Sequence, residues 1–203
     1  MILSLTQINS FAKITLPAMF SDNMVLQQNT QVAIWGRGNP SSIIHISCPW
    51  RTGGTKQYPI LEYACVSDRS GSWRTFIKTP KAGGPYTITI YDKDTVTINN
   101  VLIGEVWFCS GQSNMEMPMR GFKNQPVANS NELLLEADNN QLRLFDTKRN
   151  ASIIPADTLG GEWKISNAEA ASDFSAVAYL YGMMLQKKLN DDRFQDGLFC
   201  IVH

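Results

Sequence analysis

The chain has 203 residues, 43% of them apolar and 18% charged, which fits a folded protein of one large or two small domains. Eighteen basic residues balance eighteen acidic ones, so charge gives no case for nucleic acid or an anionic membrane as partner. No apolar run reaches the roughly eighteen residues that a membrane-spanning helix needs.

The first residues, MILSLTQINSFAK, are mildly apolar but carry no Lys or Arg before Lys13, a poor match to a secretory leader. A leader upstream of them stays open. Residues 13 to about 100 then read as short strands cut by turns. Gln31–Trp35, Ser42–Cys48, Glu62–Ser67, Ser72–Lys78, Tyr86–Tyr91 and Thr95–Ile98 are rich in Val, Ile, Thr and aromatics. Several alternate apolar with polar residues, the pattern of a strand buried on one face. Gly36-Arg37-Gly38-Asn39-Pro40, Gly53-Gly54, Ser70-Gly71 and Gly83-Gly84-Pro85 supply the breaks, and Asp22-Asn23 a further turn. This spacing predicts an antiparallel β-sandwich over 13–100.

The pattern changes at residue 101. Val101–Cys109 is a nearly continuous apolar strand, as expected where both faces are covered. Asn131–Asp138 reads as a short helix with Ser130 as N-cap, and Gln141–Thr147 as a strand. Ser172 or Asp173 caps a longer helix ending near Asn190, with Phe174, Val177, Ala178, Tyr181, Met184 and Leu185 on one face. Gly197–Val202 reads as a third strand. Residues 101–203 are therefore expected to be the incomplete start of a layered α/β domain.

Four cysteines, Cys48, Cys65, Cys109 and Cys200, form no CxxC pair, and only His45 and His203 are present, so a zinc site is not expected. Buried small apolar residues is the favoured reading of the cysteines, with a Cys48–Cys65 bridge in an oxidising compartment as the alternative. Asn150-Ala151-Ser152 is a glycosylation sequon of the kind that also arises by chance.

The chemistry centres on GEVWFCSGQSNMEMPM, residues 104–119. Ser113 lies in the loop leaving an apolar strand, where α/β sheets place their ligands. A serine hydroxyl needs a base to take its proton and donors to hold the oxyanion. Gly111-Gln112-Ser113-Asn114-Met115 departs from GxSxG, because Met115 stands where the second glycine belongs, so an α/β-hydrolase elbow is rejected. On placement alone a turn serine is the commoner role. Met115, Met117 and Met119 read equally as an apolar wall beside an acetyl group or as packing under the loop. Glu105 and Glu116 are more readily solvated or paired carboxylates than an acid pair.

The same block resembles the nucleophile block of the sialate O-acetylesterase family of SGNH-type hydrolases. LPAMFSDNMVLQQ (16–28) with VAIWGRG resembles that family's N-terminal β-domain, and FSAVAYLYGMMLQKKL (174–189) its next helix. The resemblance implies a flavodoxin-like three-layer catalytic domain and removal of acetyl groups from sialic acid or a related sugar. It implies Ser113 as nucleophile, with its own amide in the oxyanion hole, and assigns Gln112 and Asn114 to substrate binding. It implies no metal and no organic cofactor, and a periplasmic or secreted setting.

That chemistry also needs a histidine oriented by a carboxylate. His45 falls within a strand of the β region. His203 is preceded three positions earlier by Cys200, where the family's Asp-x-x-His carries Asp. Asp191–Asp196 departs from the expected helix-to-strand connection. The chain is thus expected to be an N-terminal fragment lacking the Asp/His pair, and inactive alone. The alternatives are a non-catalytic carbohydrate-binding β-sandwich presenting Trp35, Trp50, Trp73 or Trp107, or an inactive gene fragment.

Overall fold

The computed structural model describes residues 13–50, 61–147, 153, 160–191 and 199–202. The Gly53-Gly54 turn, the sequon at Asn150, the Asp192–Asp196 connection and His203 lie outside the described residues. The first strands are β1 (Val25–Gln27), β2 (Gln31–Arg37), β3 (Ile43–Cys48), β4 (Leu61–Val66), β5 (Ser72–Lys78), β6 (Gly83–Tyr91) and β7 (Thr95–Phe108). Alternation sets their inner faces: Ile44, Ile46 and Cys48 of β3 and Ile88 and Ile90 of β6 are buried, while Ile43, His45 and Ser47 are not.

Two sheets result. β2 and β5 form an antiparallel ribbon, and one larger sheet runs β4-β3-β6-β7-β10-β8-β9, with β1 parallel beside β7. Ile34, Trp73 and Ile77 of the ribbon share one core with Ile44, Ile46, Ile88, Ile90 and Ile98 of the sheet. The antiparallel strands expected over 13–100 are therefore present, but the larger sheet does not end with them. It continues through β7 and curls into a half-barrel.

β7 joins the two halves. Asn100 within it has φ 55°, a left-handed conformation that Asn tolerates better than most residues. Its Nδ2 donates to Asn23 Oδ1 at 2.6 Å. Beyond it, Glu105 accepts from Gln27 Nε2 at 3.2 Å and Gln28 Nε2 at 2.7 Å, tying β1 to β7. This seam accounts for one of the two candidate acids: Glu105 is a structural acceptor.

The second half adds α1 (Ser113–Glu116), α2 (Ser130–Leu135), β8 (Asn139–Thr147), β9 (Gly161–Ser166), α3 (Ala168–Ser172), α4 (Ala176–Asp191) and β10 (Phe199–Val202). β10 lies parallel between β7 and β8, and β9 runs antiparallel to β8. β9 was not expected from the sequence. Trp163 on it packs against Phe145 and donates to Met19 O at 2.8 Å, fastening this edge to the N-terminal segment.

Three details differ from expectation. α2 has Asn129, not Ser130, at its N-cap, with no side-chain bond. α4 starts after Ser175, whose Oγ accepts from Ala178 N at 3.4 Å. The buried side of α4 carries Ala178, Tyr179 and Gln186, whereas Val177, Tyr181 and Met184 are 49%, 40% and 72% exposed. Tyr179 holds the inward face because its hydroxyl meets Ser166 Oγ at 3.0 Å, and Gln186 because it accepts from Asn139 Nδ2 at 2.7 Å.

The cysteines resolve cleanly. Cys48 stands opposite Leu61 and Cys65 opposite Ile44 in the β3–β4 register, and both are free thiols. An offset of four positions separates them by about 13 Å along the strands, at roughly 3.3 Å per residue, too far for a disulfide. The bridge alternative is thereby corrected.

Candidate active site

The parallel strands β7, β10 and β8 finish at a common rim. Val202 is in register with both Phe108 and Phe145. The loop holding Ser113 leaves β7 at this rim, the side of a parallel sheet where ligands bind. Ser113 is the first residue of α1, after Gln112 at φ −118°, ψ −146°. Met115 N donates to Gln112 O at 2.8 Å and closes the turn.

Gly111 has a steric reason. A Cβ there would stand 2.6 Å from Met115 Cγ, so any other residue would displace the Met115 side chain from its place against the loop. Ser110 through Asn114 are exposed. Among the described residues, no hydrogen bond engages the hydroxyl of Ser113 or the side chains of Gln112 and Asn114.

The segment after α1 is stitched to the turn before α4. Ala176 N donates to Met117 O at 2.7 Å, Met119 N to Phe174 O at 3.0 Å, and Arg120 N to Ser172 O at 3.0 Å. Arg120 Nε also meets Asp173 Oδ1 at 2.5 Å on the surface. Met119 is fully buried in a core with Leu142, Leu144, Phe174 and Tyr179, and Met115 and Met117 pack half-buried against it. For Met119 the packing role holds. Nothing in the sequence announced these contacts, because their partners lie more than fifty positions away. Next to the loop, Trp107 meets Tyr181 edge to face at 5.4 Å, and Phe108 is 72% exposed.

The described residues bring no base to the serine. His45 sits on β3, stacked on Tyr91 at 5.0 Å, so it is an ordinary strand histidine. Cys109 is half-buried and burial raises its thiol pKa, which disfavours the thiolate. Glu116 is exposed, and Glu105 belongs to the β1–β7 seam. Among the described residues, no cluster of three His, Cys, Asp or Glu side chains has the geometry to hold a metal ion.

No protein-family model matches the chain. A sialate O-acetylesterase of Mus musculus is 32% identical over 63% of this chain and 24% of its own length. The Rattus norvegicus sialate O-acetylesterase is 29% identical over 85% of this chain and 33% of its own length. A carbohydrate acetylesterase from Xanthomonas citri superposes with a TM-score of 0.78 at 28% identity, covering 93% of this chain and 39% of that one. The chain thus spans a third or less of these two curated relatives.

Proposed function

We propose, for a chain that is sialate O-acetylesterase-like in sequence and fold, that its chemistry is transfer of an acetyl group from an O-acetylated sugar, sialic acid or a relative, to Ser113. One observation carries this reading: Ser113 stands exposed and unengaged at the carboxyl rim of parallel strands, in the loop that leaves β7. The finer fold reading goes with it: a β-sandwich domain over 13–100, and the opening part of an SGNH-like α/β domain over 101–203.

In this scheme Ser113 Oγ attacks the acetyl carbonyl as a base takes its proton. The N–H of Ser113 donates to the developing oxyanion. Collapse expels the sugar oxygen, which regains the proton and leaves acetyl-serine; water then releases acetate. Gln112 and Asn114 flank the nucleophile and contact the sugar. The carboxylate–histidine pair and the remaining oxyanion donors are not supplied by the described residues around Ser113. The 203-residue chain by itself therefore has little or no turnover.

Fluorophosphonate labelling followed by peptide mapping tests the nucleophile. The expected result is a slow adduct on Ser113, absent in Ser113→Ala. An adduct on Ser110 instead, or one spread over several serines, would contradict the assignment.

A further inference from the structure

A second concave site lies on the β2–β5 ribbon. A groove of about 670 Å³ opens between the ribbon end, the Thr15–Pro17 segment and the end of β4. That volume is within the roughly 300–1,000 Å³ typical of small-molecule sites. Gly36 builds its floor. A Cβ there would stand 2.6 Å from Thr15 O and 2.9 Å from Trp73 Cζ2, so glycine alone lets the Thr15 segment lie against the ribbon.

The lining carries two guanidinium groups, Arg37 and Arg74, against one carboxylate, Asp68. Arg74 pairs across the ribbon with Trp35, and its guanidinium lies 5.8 Å from the Trp35 ring centroid and 5.6 Å from that of Phe76. Among the described residues Arg74 has no ion-pair or hydrogen-bond partner. A planar cation held on two aromatic faces, with donors to spare, is prearranged for a carboxylate. Arg37 adds a second guanidinium, which donates to Ser70 O at 3.1 Å. The lining carboxylate, Asp68, accepts from Ser70 N and Ser70 Oγ at 2.7 Å each and from Ser72 N at 2.9 Å; these bonds and Arg37 keep it ionised, so Asp68 offsets Arg37 and Arg74 is the cation left over. Val66, 68% exposed, and Trp35 offer apolar surface alongside.

We infer that this groove binds an acidic saccharide, its carboxylate on Arg74 and its sugar ring over the exposed Val66, beside the Arg74–Trp35 pair. The site is separate from Ser113 and stands whether or not that serine reacts. It gives the β region a glycan-holding role of its own.

The test is calorimetric titration of the full chain carrying Ser113→Ala, which removes any reaction with the probes. Sialyllactose and oligogalacturonate are expected to bind, and lactose and sodium sulfate are not expected to compete at equal concentration. Arg74→Gln weakens binding at least about tenfold, the loss of one charge-assisted hydrogen bond. Val66→Glu, at an exposed position, places a like charge in the groove and abolishes binding. The inference is overturned if neither acidic saccharide binds, if both variants bind like the parent, or if lactose or sulfate displaces the probes equally.

Discussion

The two halves of the molecule are built on opposite terms. In the first, isoleucines from both sheets interlock with almost no exposure, and Glu105 and Ser67 are hydrogen-bonded, while the buried Trp73 Nε1 is not. In the second, the core is lined by alanines at Ala137, Ala171, Ala176 and Ala178, and Phe108, Val177 and Met184 face outward. The isoleucine core lies in one half, while Ser113 stands exposed at the margin of the other. A well-packed scaffold presents a serine at a rim, and what the serine does depends on what else reaches that rim.

That contrast is open to attack by mutation, and the largest effect is expected in the first core. Ile46 is fully buried opposite Ile90, so Ile46→Ala should cost about 2–5 kcal/mol in urea unfolding. The parallel change Met184→Ala on the outer face of α4 should stay within about 0.5 kcal/mol. Equal losses would mean that the outer face of α4 is packed after all. Glu105→Ala removes a charged acceptor shared by two glutamines and should cost about 1.5–3 kcal/mol, read as a lower urea midpoint.

Burial pushes the Cys48 thiol up to about 12 from an ordinary 9.0. The folded state thus holds a proton that the unfolded state releases first. Its contribution is complete below pH 9.0 and is lost as pH rises towards about 12, so stability should fall across that window. Cys48→Ser, followed by unfolding at several pH values, should flatten that part of the profile. The smallest effect is expected at the surface: Asp173→Asn breaks the Arg120 pair and should cost less than about 1 kcal/mol, shrinking further in high salt.

The strands of the first half were legible because one face of each is wet. Ile44, Ile46 and Cys48 alternate with polar or exposed neighbours, and that period survives folding. α4 was legible as a helix, but its orientation was not. It is apolar on two stripes, and periodicity cannot choose between Ala178-Tyr179-Gly182 and Val177-Tyr181-Met184. β9 escaped because Trp163 and Ile165, alternating with Glu162, Lys164 and Ser166, make too short a strand signal. The loop holding Ser113 was legible as the exit from an apolar strand, since β7 ends at Phe108. The hydrogen bonds from Phe174, Ser172 and Ala176 that hold the following segment were not, because they come from a distant part of the chain.

Steady-state hydrolysis of an O-acetylated sialic acid by the intact 203-residue chain, beside Ser113→Ala, tests the central claim most directly. The expected result is two rates that match each other and lie close to the buffer rate, because no histidine–carboxylate pair stands beside the serine among the described residues. Saturable hydrolysis that disappears in Ser113→Ala would show that the chain already carries a complete acyl-transfer site, and would contradict the account.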